Sequence, residues 1–198
     1  MPLERGEVLV RAGVEADLPA LTELYNHYIR ETSITFDREP YTPEQRRPWL
    51  LSHPEDGPHR LLVARETTAG AGAADNAALD DTSLLGYATS SAFRPKGAYA
   101  TSVEVTVYCA PHAGGRGVGT LLYEALFEAL AKEDVHRAYA GITQPNGGGT
   151  SLLLKSLGDS GRLHARFGFR HIGTFTEVGR KFGRYWDVAW HQKDLTRD

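Results

Sequence analysis

The sequence predicts an α+β (α/β) fold: a mixed, mostly antiparallel sheet of about seven strands with a central parallel pair and flanking helices. Three observations carry that expectation. First, seven short runs read as strands, and residues 101–109 alternate strictly, with Val103, Val105, Val107 and Cys109 on one side and Ser102, Glu104, Thr106 and Tyr108 on the other. Second, that strand is followed by a helical run and then by residues 137–142, a further strand. A strand, helix and strand in series close as a right-handed crossover with the two strands parallel. Third, Gly114-Gly115-Arg116-Gly117-Val118-Gly119 stands between the alternating run and the helix, with four glycines in six residues.

Taken in order, Val8-Leu9-Val10-Arg11 is the first strand. Asp17 is placed to cap a helix that tolerates Pro19 in its first turn and carries Leu18, Leu21, Leu24, Tyr25 and Tyr28 on its apolar side. Ile34-Thr35-Phe36 interrupts that pattern, and Thr42-Pro43-Glu44-Gln45 opens a second helix as a capping box with proline at its first position. Residues 61–65 form the second strand. Residues 67–82 are mostly Ala, Gly, Asp, Asn and Thr, with Leu79 the single large apolar side chain, so they cannot cover a core and read as an insertion, either a flexible loop or a disordered hairpin tip. Residues 84–92 form the third strand, and Arg94-Pro95-Lys96-Gly97 turns the chain into the alternating run, the fourth. Downstream of the glycines, Leu121, Leu122, Ala125, Leu126, Ala129 and Leu130 make one helical stripe. After the fifth strand, at 137–142, residues 162–167 read as a short helix, 169–176 as the sixth strand and 186–190 as the seventh, with Trp186 and Trp190 filling the core.

The glycine run should hold an anion. Glycines leave main-chain N–H groups uncovered, the first turn of the helix adds unpaired donors and a positive dipole end, and Arg116 adds a charge. A P-loop would need Gly-Lys-Ser/Thr, and here Gly119 is followed by Thr120 without a lysine. The dinucleotide fingerprint would need a third Gly or Ala at position 120, which is Thr.

Composition narrows the rest. With 198 residues and 41% hydrophobic content the chain can bury one good core, which fits a single domain over residues 1–198. Net charge is −3, from 22 basic and 25 acidic residues without a long basic run, so neither nucleic acid nor an anionic membrane is an expected partner. Cys109 is the single cysteine, which excludes an internal disulfide and a cysteine-cluster zinc site. The eight histidines form no His-x-x-x-His pair, so no metal is expected. Residues 1–15 lack an apolar signal region, and no stretch approaches a membrane span of about 20 apolar residues. The expected location is cytoplasmic.

The glycine run resembles the pyrophosphate loop of the GNAT superfamily of N-acetyltransferases, Gln/Arg-x-x-Gly-x-Gly/Ala, which holds coenzyme A. Gly117 and Gly119 match, whereas Gly114 stands in place of the usual Gln or Arg and removes one side-chain contact to the phosphates. The resemblance extends over nearly the whole chain. Asn26-His27-Tyr28-Ile29 with Phe36, Val103-Glu104 with Val107-Tyr108, Pro145-Asn146, Arg162-Leu163-His164 with Phe167-Gly168-Phe169, and Lys181-Phe182-Gly183-Arg184 with Trp186-Asp187-Val188 together resemble the phosphinothricin acetyltransferase family. The last cluster resembles its branch acting on methionine sulfone and methionine sulfoximine.

The resemblance implies the GNAT fold, acetyl-CoA as cosubstrate, a small amino acid-like amine as acceptor, and a homodimer. It implies cofactor binding by Val107, Tyr108, Cys109, Gly114, Gly115, Arg116, Gly117, Val118, Gly119, Thr120 and Asn146, the last through an amide pairing with the pantetheine arm. For the acceptor it points to Phe36, Lys96, Gly97, Ala98 and Tyr99. An ammonium and a phenol suit the carboxylate of an amino acid. In the family only a few residues follow the Asn before the Arg-Leu-His helix; here residues 147–159 intervene, a second insertion bearing Leu152, Leu153, Leu154 and Leu157.

Glu104 is the expected general base, on chemical grounds and by the resemblance. An amine attacks a thioester only when neutral, and an α-amino group with an ordinary pKa of about 8 is largely protonated at pH 7. A carboxylate can take that proton directly or through one water. His164 matches the position where many GNAT enzymes have a tyrosine that protonates the leaving thiolate, so it is either that acid or a hydrogen-bonding residue, with Tyr123 as the other candidate donor. Cys109 has no activating neighbour and reads as a small packed side chain. Two other functions remain open: acetylation of peptide or protein amines, and coenzyme A binding without catalysis.

Overall fold

A computed structural model describes residues 3–5, 8–67, 84–144 and 151–196. Its elements are β1 (Leu3–Arg5), β2 (Val8–Ala12), α1 (Leu18–Glu31), α2 (Pro43–Leu51), β3 (Leu61–Glu66), β4 (Leu84–Ala92), β5 (Ser102–Cys109), α3 (Val118–Leu130), β6 (Arg137–Gln144), α4 (Ser151–Arg166), β7 (Arg170–Lys181) and β8 (Arg184–Asp194). The strand order is β1-β2-β3-β4-β5-β6-β8-β7. These are the seven expected strands plus the three-residue β1. The insertion at 67–82 falls almost wholly outside the described residues, and Asn146 lies outside them too.

The chain forms two compact units, the first made of Met1–Leu24, Thr42–Ser91 and Thr106–Asp134, the second of Tyr25–Tyr41, Ala92–Val105 and Val135–Asp198. In the first unit β1, β2, β3 and β4 pair antiparallel in sequence order. The Ala110 N–H donates to the Leu85 carbonyl at 2.8 Å, which ties the end of β5 to β4. Helix α3 lies on β2 and β3 and buries Leu121, Leu122, Leu126 and Leu130, the stripe read from the sequence. Helix α2 begins with the expected capping box: the Gln45 N–H donates to Thr42 Oγ1, and the Thr42 N–H donates to Gln45 Oε1 at 2.8 Å.

Asp17 does something other than cap α1. It closes a 3-10 turn, Glu15–Asp17, and its carboxylate is 1% exposed. It accepts from Arg11 Nη1 at 2.7 Å, Arg65 Nε at 2.9 Å and the Val14 N–H at 2.8 Å. Burial alone would raise this carboxyl; the Arg11 hydrogen bond, the Val14 N–H and the charges of Arg11 and Arg65 outweigh it, so Asp17 titrates below the usual carboxylate range.

His53, also in the first unit, is buried and donates Nδ1–H to the Trp49 carbonyl at 2.7 Å. Burial pushes its pKa down, the Trp49 contact pushes it up, and His59 and Arg46 push it down, with a net lowering. A histidine whose folded pKa lies below its unfolded value of about 6.5 stabilises the fold above that pH and loses the contribution as pH falls through the folded value. Thermal unfolding should therefore show a loss of stability on going from pH 7 toward pH 5, and His53→Gln should flatten part of it. An equally steep profile in the variant would contradict this assignment.

In the second unit β5 and β6 are parallel over Ser102–Arg137, Val103–Ala138 and Glu104–Tyr139, as the crossover argument required. Strand β8 pairs antiparallel with both β6 and β7. Helix α4 lies against β6 and differs from the expectation: it is not a short helix at 162–167 but starts at Ser151, so part of the second insertion is helical. Strands β7 and β8 are longer than expected, because the chain continues through Glu177, with φ of 53°, and a register shift between Phe175 and Gly179. Trp186 is buried with Ile142, as read from the sequence, while Trp190 is only half-buried.

Candidate active site

In the first unit β5 ends at Cys109, a 3-10 turn spans Pro111–Ala113, and the glycine run leads into α3. Gly115 has φ of +79° and Gly117 +75°, conformations that residues with a Cβ rarely adopt. Gly117 is the N-cap of α3 with no side-chain cap, and the first helical bond is Leu121 N–H to the Gly117 carbonyl at 3.1 Å. The N–H groups of Val118, Gly119 and Thr120 precede that bond, as at any helix start. A Cβ built on Gly115 or Gly117 would meet nothing within 4 Å, and one on Gly114 only the Pro111 carbonyl at 3.7 Å. An exposed, side-chain-free loop at a positive helix end fits a diphosphate. Arg116 contributes less than expected: its guanidinium pairs with Glu66 at 2.5 Å, so its charge is already partly balanced.

The alternation of β5 holds through Val105 and then slips. Thr106 and Val107 are both half-buried, and Tyr108 is buried against the Tyr87 ring at 5.3 Å instead of lying on the open face with Glu104. Cys109 is half-exposed as a residue, yet burial raises its thiol to about 11, which makes it a poor nucleophile at neutral pH. Tyr123 is 0% exposed, and burial together with the neighbouring Cys109 pushes its hydroxyl far above the usual range. A phenol so disposed is a weak acid.

Glu104 lies in the second unit on the half-buried face of β5, and the register sets it beside Tyr139. Burial raises its pKa, and the charge of Arg94 opposes the rise without cancelling it. That face is aromatic: Phe93 stacks on Tyr139 at 4.3 Å and meets Trp190 edge-on at 5.9 Å and Tyr99 at 6.1 Å. Arg94 is exposed and lies over the Phe93 ring at 4.2 Å, held by a hydrogen bond to the Phe93 carbonyl. Lys96 precedes the 3-10 turn Gly97–Tyr99, and all four of these expected acceptor residues are exposed. Arg94, Phe93 and Tyr139 did not stand out in the sequence. Arg94 looked like part of a turn, and only the packing of Phe93 on Tyr139 ties it to Glu104.

Phe36, by contrast, packs on Ile142 and Trp186 in the second unit. His164 is buried in the last turns of α4, edge-on to Phe169 at 5.1 Å, with Nδ1 2.7 Å from the Ser160 carbonyl. A carbonyl only accepts, so Nδ1 carries the proton, and the neutral ring has an acceptor at Nε2. Donation from Nε2 would need the imidazolium, and burial lowers the pKa despite the Ser160 contact. Among the described residues no group of three His, Cys, Asp or Glu could hold a metal ion, and no helix is long and apolar enough to cross a membrane.

Comparison with known proteins gives the family. Residues 21–158 match the family model described as Acetyltransferase (GNAT) family. The chain is 64% identical to the phosphinothricin N-acetyltransferase of Streptomyces coelicolor, over 96% of this chain and 97% of that protein. It is 30% identical to the L-methionine sulfoximine/L-methionine sulfone acetyltransferase of Pseudomonas aeruginosa, over 93% and 92%. Among solved structures, a GNAT superfamily phosphinothricin acetyltransferase from Sinorhizobium meliloti in complex with AcCoA superposes with a TM-score of 0.76 at 27% identity, over 96% of this chain and 89% of that one.

Proposed function

Because the chain belongs to the acetyltransferase (GNAT) family, we propose that it moves the acetyl group of acetyl-CoA to the α-amino group of a small amino acid analogue of the phosphinothricin, methionine sulfone or methionine sulfoximine type. The observation that carries the acceptor side is the half-buried Glu104, its pKa raised, on the same aromatic face as the exposed Arg94. One group can take a proton from an ammonium, and the other can hold a carboxylate by charge-assisted hydrogen bonds, with Lys96 and Tyr99 close in sequence.

The thioester supplies an acyl carbon with a good leaving group. Glu104 takes one proton from the acceptor ammonium, directly or through a water, and the neutral nitrogen forms the C–N bond as the C–S bond breaks. The electron pair leaves on sulfur, and the second proton lost by nitrogen balances the one the thiolate takes up from solvent. A thiolate with an ordinary pKa of about 8.5 leaves without a strong acid, so this reading gives His164 a hydrogen-bonding role and requires no acid from Tyr123. Direct attack also needs no acetylated Cys109.

In this reading the N–H groups of Val118, Gly119 and Thr120 and the main chain of Gly114 to Gly117 hold the pyrophosphate of acetyl-CoA. Valine at position 117 would be forced into φ of +75° and would extend its methyls over that main chain. Gly117→Val should weaken acetyl-CoA at least tenfold, about 1.4 kcal/mol, by calorimetry. Unchanged affinity would move the cofactor elsewhere.

The enzyme is further read as a cytoplasmic homodimer that uses neither nucleic acid nor membrane. Five large apolar side chains more than half exposed on β7, β8 and the turn joining them, Ile172, Phe175, Val178, Phe182 and Tyr185, offer a surface for the second copy. Sedimentation would decide: a monomer at micromolar concentration would remove this part. The activity itself is tested by thiol release from acetyl-CoA over a panel of free amino acid analogues and peptides. Turnover confined to peptides would favour the protein acetyltransferase, and none at all a binding module.

A further inference from the structure

Lys181 closes β7 and is 5% exposed, an ammonium for which the proposed reaction has no use. Its Nζ donates to the Thr35 carbonyl at 2.8 Å, and the Trp186 indole N–H donates to the carbonyl of Lys181 itself at 3.0 Å. Two residues earlier Gly179 faces the Phe36 ring so closely that a Cβ there would fall 2.3 Å from Cε2. Gly179 is not in the left-handed region, so it is glycine for space. From the other side, the Tyr25 hydroxyl lies 2.7 Å from Thr35 Oγ1 and donates to Asp37 Oδ2 at 2.5 Å. The ring of Phe36 rests on Ile142 and Trp186. Three consecutive residues are thus held at both ends, and the aromatic ring between them is boxed in.

We propose that Lys181 and Gly179 are positioning residues that determine acceptor specificity, because they fix the Thr35-Phe36-Asp37 segment and hold the Phe36 ring in one setting. This rests on the reading that Phe36 lines the acceptor site. A methionine of similar length would fill the volume without desolvating a cation. What the ammonium adds is a directed bond to one main-chain carbonyl, which sets where the next side chain stands. The Lys181-Phe182-Gly183-Arg184 stretch then works on substrate choice from a strand that contributes no reacting group.

The test compares Lys181→Met, Lys181→Arg, Gly179→Ala and the double variant Gly179→Ala/Phe36→Leu, with phosphinothricin and methionine sulfone as acceptors. Lys181→Met should raise acceptor KM about tenfold or more, lower kcat less, and change the ratio of kcat/KM between the two acceptors, while acetyl-CoA affinity stays within about twofold. Lys181→Arg should recover part of the loss. Gly179→Ala should shift the same ratio, and Phe36→Leu in the same chain should restore space and part of the wild-type selectivity. If both single variants fold and leave acceptor KM and selectivity within about twofold, the proposal is overturned. Amide hydrogen exchange of residues 32–41 in the protein alone gives a readout free of turnover. Faster exchange in Lys181→Met supports the tie, and an unchanged rate contradicts it even if no acceptor is acetylated. Should Lys181→Met not fold, the Gly179→Ala pair decides.

Discussion

Glu104→Gln should turn over about 10²- to 10⁴-fold more slowly than wild type while binding acetyl-CoA normally. Glutamine keeps the size and hydrogen bonding of the side chain and removes only the basic oxygen pair. The pH dependence carries the sign. Burial holds the Glu104 carboxyl above the usual carboxylate range, with Arg94 opposing, so wild-type activity falls as pH drops through that raised value and the base becomes protonated. The variant has no such limb. Its activity should climb as the acceptor amine itself loses its proton near pH 8, and the defect should shrink there. A carboxyl raised by folding favours the fold most when protonated and costs stability as pH rises through its pKa, so the Gln variant should be at least as stable as wild type at pH 7. A folded variant with wild-type turnover near neutral pH would reduce Glu104 to an acid on a strand face.

Asp17→Ala should cost about 3–5 kcal/mol of folding stability, a large share of the about 5–15 kcal/mol that holds a native domain together. The loss would come less from the missing attraction than from what stays behind. Arg65, buried, and Arg11, half-buried, would keep their charges after losing the carboxylate they share, and the Val14 N–H would lose its acceptor. Denaturant unfolding measures it, and a loss near 1 kcal/mol, the size expected for a helix cap, would favour the simpler role. Acid should act in the same direction: the folded carboxyl is depressed, so its stabilisation is present above its unfolded pKa and is lost as pH falls through the folded one.

Asp17 also marks where the sequence stops being legible. An acid before Leu18-Pro19 looks the same whether it caps a helix or pairs with arginines, and its partners stand six and 48 positions away. The same distance problem hid the pairing of Arg116 with Glu66, 50 positions apart. Local chemistry was readable. The Thr42-Pro43-Glu44-Gln45 capping box, the stripe of α3 and the parallel β5–β6 pair all follow from near neighbours or element order. The start of α4 was hidden because Gly158 and Gly161 look like punctuation, yet both are helical here. Tyr108 was misplaced because a strict period of two cannot foresee a slip at Thr106 and Val107. In the candidate site, Glu104 was singled out by its strand and its family resemblance, and folding half-buries it, whereas Arg94 and Lys181 acquire meaning only from side chains that folding brings to them.

The measurement that bears most directly on the proposed reaction is mass analysis of both product and protein after incubation with acetyl-CoA and either phosphinothricin or methionine sulfone. Direct transfer predicts one acetyl group on the acceptor's α-amino nitrogen, one thiol released for each, and no acetyl on the protein when the acceptor is left out. An acetylated Cys109, or thiol release with no acetylated amine, would contradict direct transfer assisted by Glu104.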